Sequence, residues 1–430
     1  MSETANRPAA PAWPPAWPVV FRAFGRIGLL SFGGPAAQIA LMHRELVEQR
    51  QWVTEAEYLS ALSFCMLLPG PEAMQLATWI GWRLKGVRGG LLAGLLFVAP
   101  GAVVVLALSW LYATLGEVPQ VAALFTGVQA AVVAVVVEAL LRVSRRALKS
   151  REHRAIAGLA FLALFAFALP FPVVIGAAGL WGFLRARRAN AMPPPPQGNA
   201  LAESLRAALV WAAVWLLPLA AIVLWAPALY ADIAVFFSKL AVVTFGGAYA
   251  VLAWMAQAVV EQKHWLSLTQ MMDGLGLAET TPGPLILVTE FVGFVAAFQR
   301  HGPAGGLAAA GLTLWMTFAP CFLWIFAGAP WIARLTHAPR LAGALAAITA
   351  AVVGVIANLS LWFALHVVFA QLSRLDLGPL HLIWPDLTSL RPLPGLIGLA
   401  AAWALLRRHW NLPLVLALAA LTSAVLTHLP

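Results

Sequence analysis

Two short motifs interrupt otherwise apolar stretches of this 430-residue chain, Ser31-Phe32-Gly33-Gly34 and Pro69-Gly70-Pro71. A helix cannot run smoothly through either, and Pro71 suits the first position of a new half-helix, where its missing N–H costs no bond. The freed N–H groups and positive dipole end of such a half-helix attract an anion. Arg26, about two turns ahead of the Gly-Gly pair, offers a compensating charge, Ser31 a hydroxyl, and Gln75 an amide one turn beyond Pro71. Glu72 stands beside them. Ionised, it would repel an anion; protonated, it could donate to one; in either case it can cap its half-helix.

The set recurs. Thr244-Phe245-Gly246-Gly247, Pro282-Gly283-Pro284 and Lys239 each stand 213 positions after their counterparts (31 to 244, 69 to 282, 26 to 239). Glu48-Gln49-Arg50-Gln51-Trp52 is answered at the same spacing by Glu261-Gln262-Lys263-His264-Trp265. Ala99-Pro100 and Ala130-Ala131-Val132-Val133 recur 220 positions on, so one seven-residue insertion near Arg300 reconciles the two shifts. Thr281 precedes the second Pro-Gly-Pro, Val288 takes the place of Gln75, and Glu279 and Glu290 add carboxylates to the second interrupted region. Four half-helix ends, two per copy, could converge on one oxyanion, with Glu72, Glu279 and Glu290 as candidate proton carriers. For a single motif, close helix packing or a kink is the plainer reading, and Arg26 and Lys239 could snorkel to the surface. Duplication of both motifs favours a site.

Spanning helices must position these residues. Apolar residues make up 62% of the chain and charged ones 10%, a balance foreign to soluble domains. The stretches Gly89 to Leu115, Ala122 to Leu141, Ala207 to Ala226 and Leu341 to Phe369 are each long enough to cross a hydrocarbon layer. The pattern predicts an all-α polytopic membrane protein of about 13 transmembrane helices, with short pairs flanking 170–172 and 407–413. Residues 1–17 read as a disordered tail, 18–188 as the first repeat and 189–201, with its run of prolines, as a cytoplasmic linker. Residues 202–230 read as an additional helix and 231–430 as the second repeat.

The net charge of +10 is placed as topology and not as a nucleic-acid surface. Arg83, Lys85 and Arg88, and then Arg142, Arg145, Arg146, Lys149, Arg151 and Arg154, mark cytoplasmic loops, as do Arg185, Arg187 and Arg188. The acidic loop after His43 and the turn 113–120 read as outer. In the second repeat Lys263 and His264, Arg334, His337 and Arg340, and Arg407 to His409 read as inner, with 370–393 outer. An odd number of spans between equivalent positions inverts the second repeat, as in secondary transporters that bind substrate at a midplane repeat interface. No selectivity-filter sequence speaks for a channel. Cys65 and Cys321, both in apolar stretches, form neither a disulfide framework nor a metal cluster, and no cofactor fingerprint is present.

Three runs resemble the signatures of the chromate ion transporter family in its long, two-repeat form: Ser31 to Leu46, Phe64 to Ala73 and Gly274 to Ile286. The resemblance covers nearly the whole chain. It implies a chromate efflux carrier of the bacterial inner membrane, exchanging protons, with no enzymatic activity, cofactor or metal. Its partners would be chromate or the similarly shaped sulfate, protons and membrane lipid, and a homodimer is compatible with it. Arg26, Ser31, Gly33, Gly34, Pro69, Gly70, Pro71 and Gln75 are the candidate substrate residues of the first repeat. Lys239, Thr244, Gly246, Gly247, Thr281, Pro282, Gly283 and Pro284 are those of the second.

Overall fold

The computed structural model describes residues 14–32, 34–116, 118–186, 199–245, 248–336 and 338–427. Gly33, Gly246 and Gly247, Arg187, Arg188 and His337, and most of the expected tail and linker lie outside the described residues.

The first copy opens with α1 (Trp17–Leu30), which ends at Ser31, and α2 (Gly34–His43), which runs on through a π-wound turn at Arg44–Gln49. α3 (Glu55–Leu67) starts from a capping box, Thr54 and Glu57 each bonding the other's backbone N–H, and stops before Pro69-Gly70-Pro71. α4 (Glu72–Leu115) begins directly after Pro71 and folds into two arms at Lys85 and Gly86, where Gly86 takes φ +62°. α5 (Pro119–Ala147), α6 (Arg151–Phe165) and α7 (Phe171–Arg185) follow, and α8 (Ala200–Trp225) is the additional helix. The second copy runs α9 (Ala228–Val243), α10 (Ala248–Gln257) with its π-wound turn Ala258–Gln262, α11 (Leu268–Thr280) and α12 (Val288–Gly328). Then come the short α13 (Ile332–Thr336), α14 (Pro339–Val368), strands β1 (Leu372–Leu377) and β2 (Leu380–Pro385), α15 (Pro392–Leu406) and α16 (Leu412–Thr427).

The spacing found in the sequence holds down to backbone angles. Gln51 and His264, 213 apart, take φ of 52° and 50°, and Ser267 with Gln270 repeats the Thr54–Glu57 box. Gly86 and Gly302 fold their helices 216 apart, whereas Pro100 and Pro320 stand 220 apart. The seven inserted residues therefore divide between the two arms of α12, adding about one turn to each. Beyond α14 the shift grows from 220 to 241: α6 and α7 match α15 and α16, and Ala168 and His409 mark equivalent turns at φ 48° and 53°. Most of the extra 21 residues form the antiparallel β1–β2 hairpin, which replaces the loop expected there and, among the described residues, has no equivalent in the first copy.

Among the described residues five helices, α4, α5, α8, α12 and α14, are long and apolar enough to cross a membrane, and α7, α15 and α16 are shorter apolar helices. On α8 only Ser204 and Trp215 are buried, while Leu209, Leu217, Leu224 and Trp225 are exposed, the surface of a helix solvated by lipid. The interior is closed where the second arms of α4 and α12 meet, Gly90 and Gly94 lying directly against the rings of Phe326 and Phe322.

The side assigned to two loops is corrected by ion pairs. Glu57 meets Arg83 at 3.2 Å, and the Lys85 ammonium sits over the Trp17 ring. The stretch from Trp17 to Glu57 thus leaves the turn at 83–86 and comes back to it. The acidic loop after His43 shares an end with the basic loop it was expected to oppose. In the second copy Tyr230 stacks on His301, Lys263 pairs with Asp232 at 3.3 Å, and Glu261 pairs with Arg374 at 3.2 Å. Lys263 and His264 accordingly share an end with 370–393. The physical reason is length: α1 and α3, of 14 and 13 residues, reach only about 20 Å, so each interrupted stretch turns at its break instead of crossing.

Candidate functional site

The four breaks meet in pairs across the two copies. The Gly70 N–H donates to the Thr244 carbonyl at 2.8 Å, and the Gly283 N–H donates to the Ser31 carbonyl at 2.8 Å. Because Thr244 is the counterpart of Ser31 and Gly283 that of Gly70, the two bonds are one bond repeated by a two-fold relation between the copies. Packing repeats it too: Gly70 lies against Cys321 and Gly283 against Gly101, and Cys321 and Gly101 are themselves 220 apart. At φ +120° and +89°, Gly70 and Gly283 occupy backbone that other residues rarely enter.

Each predicted residue can now be placed. Ser31 and Thr244 are buried, and their hydroxyls donate back to the Ile27 and Leu240 carbonyls at 2.6 and 2.5 Å, capping α1 and α9. Pro69, Pro71, Thr281, Pro282 and Pro284 frame the two crossings, and the Thr281 hydroxyl bonds the Ala278 carbonyl. Gly34, at φ +79°, starts α2 on the far side of the first break. Gln75 is wholly buried and donates to the Pro69 carbonyl at 2.7 Å. Arg26 and Lys239 do not join this group. Arg26 points to the outer face of α1, its side chain 60% exposed, and pairs at 3.5 Å with Glu45, which also meets Arg50 at 3.4 Å. Lys239 is exposed on α9, and the position equivalent to Glu45 is Ala258. Arg26→Gln should therefore cost about 0.5–1 kcal/mol by stripping one partner from a buried carboxylate, and Lys239→Gln almost nothing; thermal unfolding in detergent compares them.

The three carboxylates are dispersed. Glu72 turns back to its own backbone N–H at the start of α4. Glu279 accepts from the Tyr249 hydroxyl at 2.9 Å, within reach of the Glu138–Arg142 pair of α5. Glu290 is buried on α12, and its Oε2 has no hydrogen-bond partner among the described residues.

One central residue escaped the sequence reading. Gln38, wholly buried on α2, donates through Nε2 to the Gly283 carbonyl at 2.7 Å and to the Ser31 carbonyl at 3.3 Å, so a single amide spans both sides of one crossing. Its counterpart is Val251, as that of Gln75 is Val288, which makes the first copy the polar one. Among the described residues the amide oxygens of Gln38 and Gln75 both lack a partner, buried acceptors beside the backbone breaks.

Comparison with known proteins follows the same division of the chain. The family described as "Chromate transporter" matches residues 19–183 and again 231–424, one match per copy. A "Chromate transport protein" of Pseudomonas aeruginosa is 35% identical over 349 residues, 80% of each chain. One of Cupriavidus metallidurans is 31% identical over 345 residues, 77% of this chain and 79% of that one. A "Probable chromate transport protein" of Synechococcus elongatus is 29% identical over 405 residues, 94% of this chain and 93% of that one. No solved structure matches the chain. Two family matches falling on the two copies whose breaks cross, in a polypeptide with five membrane-length apolar helices, make this chain a multi-pass membrane protein of the chromate transporter family.

Proposed function

We propose that this protein carries chromate out of the cell across a bacterial inner membrane by alternating access. The observation that carries the reading is the reciprocal crossing of the helix breaks, since broken helices meeting at a repeat interface are where secondary transporters bind substrate. Opposite orientation of the copies is supported by count: the second arm of α4, then α5, α6, α7 and α8, lie between equivalent breaks, an odd number of helices. The end that carries Arg83, Lys85, Arg88 and the Arg145 to Arg154 loop is the cytoplasmic one, because the other holds few Lys and Arg and several carboxylates.

In this reading the anion lies among Ser31 to Gly34, Pro69 to Pro71, Thr244 to Gly247 and Thr281 to Pro284. It displaces a crossing hydrogen bond and takes up first-turn N–H groups together with the Gln38 and Gln75 amides. Arg26 and Lys239 act on the approach to the breaks and not within them. Export is the downhill direction: an inside-negative potential of 100 mV favours loss of a dianion moving alone by about 4.6 kcal/mol. Exchange for protons, through carboxylates such as Glu279 or Glu290, would add a second driving force. The chain acts as a carrier and not as a reductase, with membrane lipid around it and a homodimer compatible with the reading.

Neutral amides and hydroxyls recognise a tetrahedral dianion without naming its central atom, and this favours sulfate as the second reading. Uptake of radiolabelled chromate into everted membrane vesicles, with sulfate as competitor, separates them. Saturable chromate uptake that equimolar sulfate barely reduces is expected. Preference for sulfate assigns the chain to the second reading, and uptake confined to right-side-out vesicles reverses the direction.

A further inference from the structure

A cavity of about 540 Å³ opens at the end opposite the basic loops, bounded by the end of α4, the start of α5, the start of α11 and the end of α14. Tyr112, Gln129, Asp273, His366 and Arg391 are among its polar lining residues. Asp273, on α11, is 2% exposed. The Tyr112 hydroxyl donates to its Oδ2 at 2.8 Å and the Gln129 Nε2 to its Oδ1 at 2.8 Å. Both donors belong to the first copy and Asp273 to the second, so one carboxylate ties the two together at the cavity wall. The equivalent positions in the other half, Ile332, Ser60 and Thr349, cannot form this arrangement.

Asp273 shares with Glu279 and Glu290 the lack of a cation within ion-pair distance among the described residues, but it alone of the three is held by two neutral donors of the other copy. Glu45 meets Arg26 and Arg50, Glu138 meets Arg142, and Glu261 meets Arg374. Among the described residues no Lys, Arg or His lies within ion-pair distance of Asp273. A carboxylate held by neutral donors changes protonation state far more readily than one locked to a guanidinium. Protonation turns one of its oxygens from acceptor to donor, which forfeits a bond from Tyr112 or Gln129 unless that partner reorients. The groups around it are few. α4 presents Tyr112 and α5 presents Gln129, while His366 and Arg391 face the same cavity from the end of α14 and the segment before α15. α12 places Phe291 beside Tyr112 and carries Glu290 a residue earlier, and α16 contains no ionisable side chain between Leu412 and Thr427.

We propose that Asp273 is the residue that takes up a proton from this cavity, and that its protonation releases α11 from Tyr112 and Gln129. α11 ends at Thr280, where the second break begins, so release at one end of the helix is delivered to the crossing with Ser31 at the other. The proposal rests on the proton-exchange reading above, with Asp273 as the loading group and Tyr112 and Gln129 as positioning residues.

The test uses the full chain in proteoliposomes with radiolabelled chromate. Two rates are measured for each protein: counterflow at equal pH on both sides, and uptake under an imposed pH gradient. For wild type the gradient-driven rate should exceed the counterflow rate. For Asp273→Asn the ratio should fall to about one, whatever the counterflow rate itself. A ratio in Asp273→Asn that matches wild type overturns the assignment to Asp273 while leaving proton exchange intact. A wild-type rate indifferent to the gradient removes proton exchange and the proposal with it. Should Asp273→Asn lack counterflow, Asp273→Glu decides. Its gradient-driven rate should keep a pH dependence with the midpoint moved by about half a unit or more, and an unmoved midpoint overturns the proposal.

Discussion

Replacing Gly101 with alanine is expected to reduce transport by about fivefold or more and to lower thermal stability, although the substitution adds one methyl group in the middle of a helix. A Cβ at this position would stand 2.2 Å from the Pro282 carbonyl oxygen and 2.6 Å from a Leu287 methyl. The opposing group is backbone, and it belongs to a break already fixed by the Gly283 N–H bond to Ser31, so neither side can yield without parting the crossing. Overpacking of this kind typically costs about 1–3 kcal/mol, a factor of roughly five to a hundred and fifty in population of the intact arrangement. Gly25→Ala is the matched control, since a Cβ there has nothing within 4 Å. Chromate uptake into vesicles, read beside unfolding temperature and elution profile, should separate the two variants clearly.

The second large effect is expected at Gln38. Gln38→Leu keeps the volume but leaves the buried Gly283 carbonyl without its side-chain donor, a loss of about 1–3 kcal/mol. Gln38→Glu should not rescue it, because an ionised carboxylate would set an acceptor against an acceptor. Gln75→Leu removes the bond to the Pro69 carbonyl within the first copy and leaves the crossing bonds themselves in place, so it should be the milder change. Transport rate and unfolding temperature for the three variants give the order. If Gln38→Leu proves as mild as Gln75→Leu, the amide is a filler and not a tie between the copies.

Much of this was legible before any coordinates. Residues that break helices are few and chemically distinct, so Ser31 to Gly34 and Pro69 to Pro71 announced themselves, and their recurrence fixed the alignment of the copies to the residue. The resemblance to the family rested on the same runs. What the sequence concealed depends on contacts between distant segments. Charge alone cannot tell a stretch that turns back at its break from one that crosses, and this is why the loop after His43 and the loop at Lys263 went to the wrong ends. Arg26 has the spacing of a site residue, but its partner Glu45 draws it to the outer face. Gln38 sits within a motif that was read, yet its partner is 245 residues away. Asp273 directly precedes another such motif and gains its meaning from Tyr112 and Gln129 in the first copy. An acidic residue inside an apolar helix was the available signal. The β1–β2 hairpin gave little sign of itself because Leu372 to Pro385 is short and flanked by ordinary loop residues.

That hairpin has an energetic meaning for a protein made of two like halves. Halves of identical sequence that exchange roles would leave the inward- and outward-open forms degenerate, each resting for half the time. Among the described residues the β1–β2 insertion is found on one half alone, where the His381 N–H donates to the Ala166 carbonyl and Arg374 to Glu261. Every contact that one form keeps and the other breaks lifts that degeneracy. A bond or ion pair of this kind contributes about 1 kcal/mol, enough to bias the resting population several-fold toward one opening. Deleting the hairpin would then alter which side of the membrane an idle carrier faces, without touching the place where the anion binds.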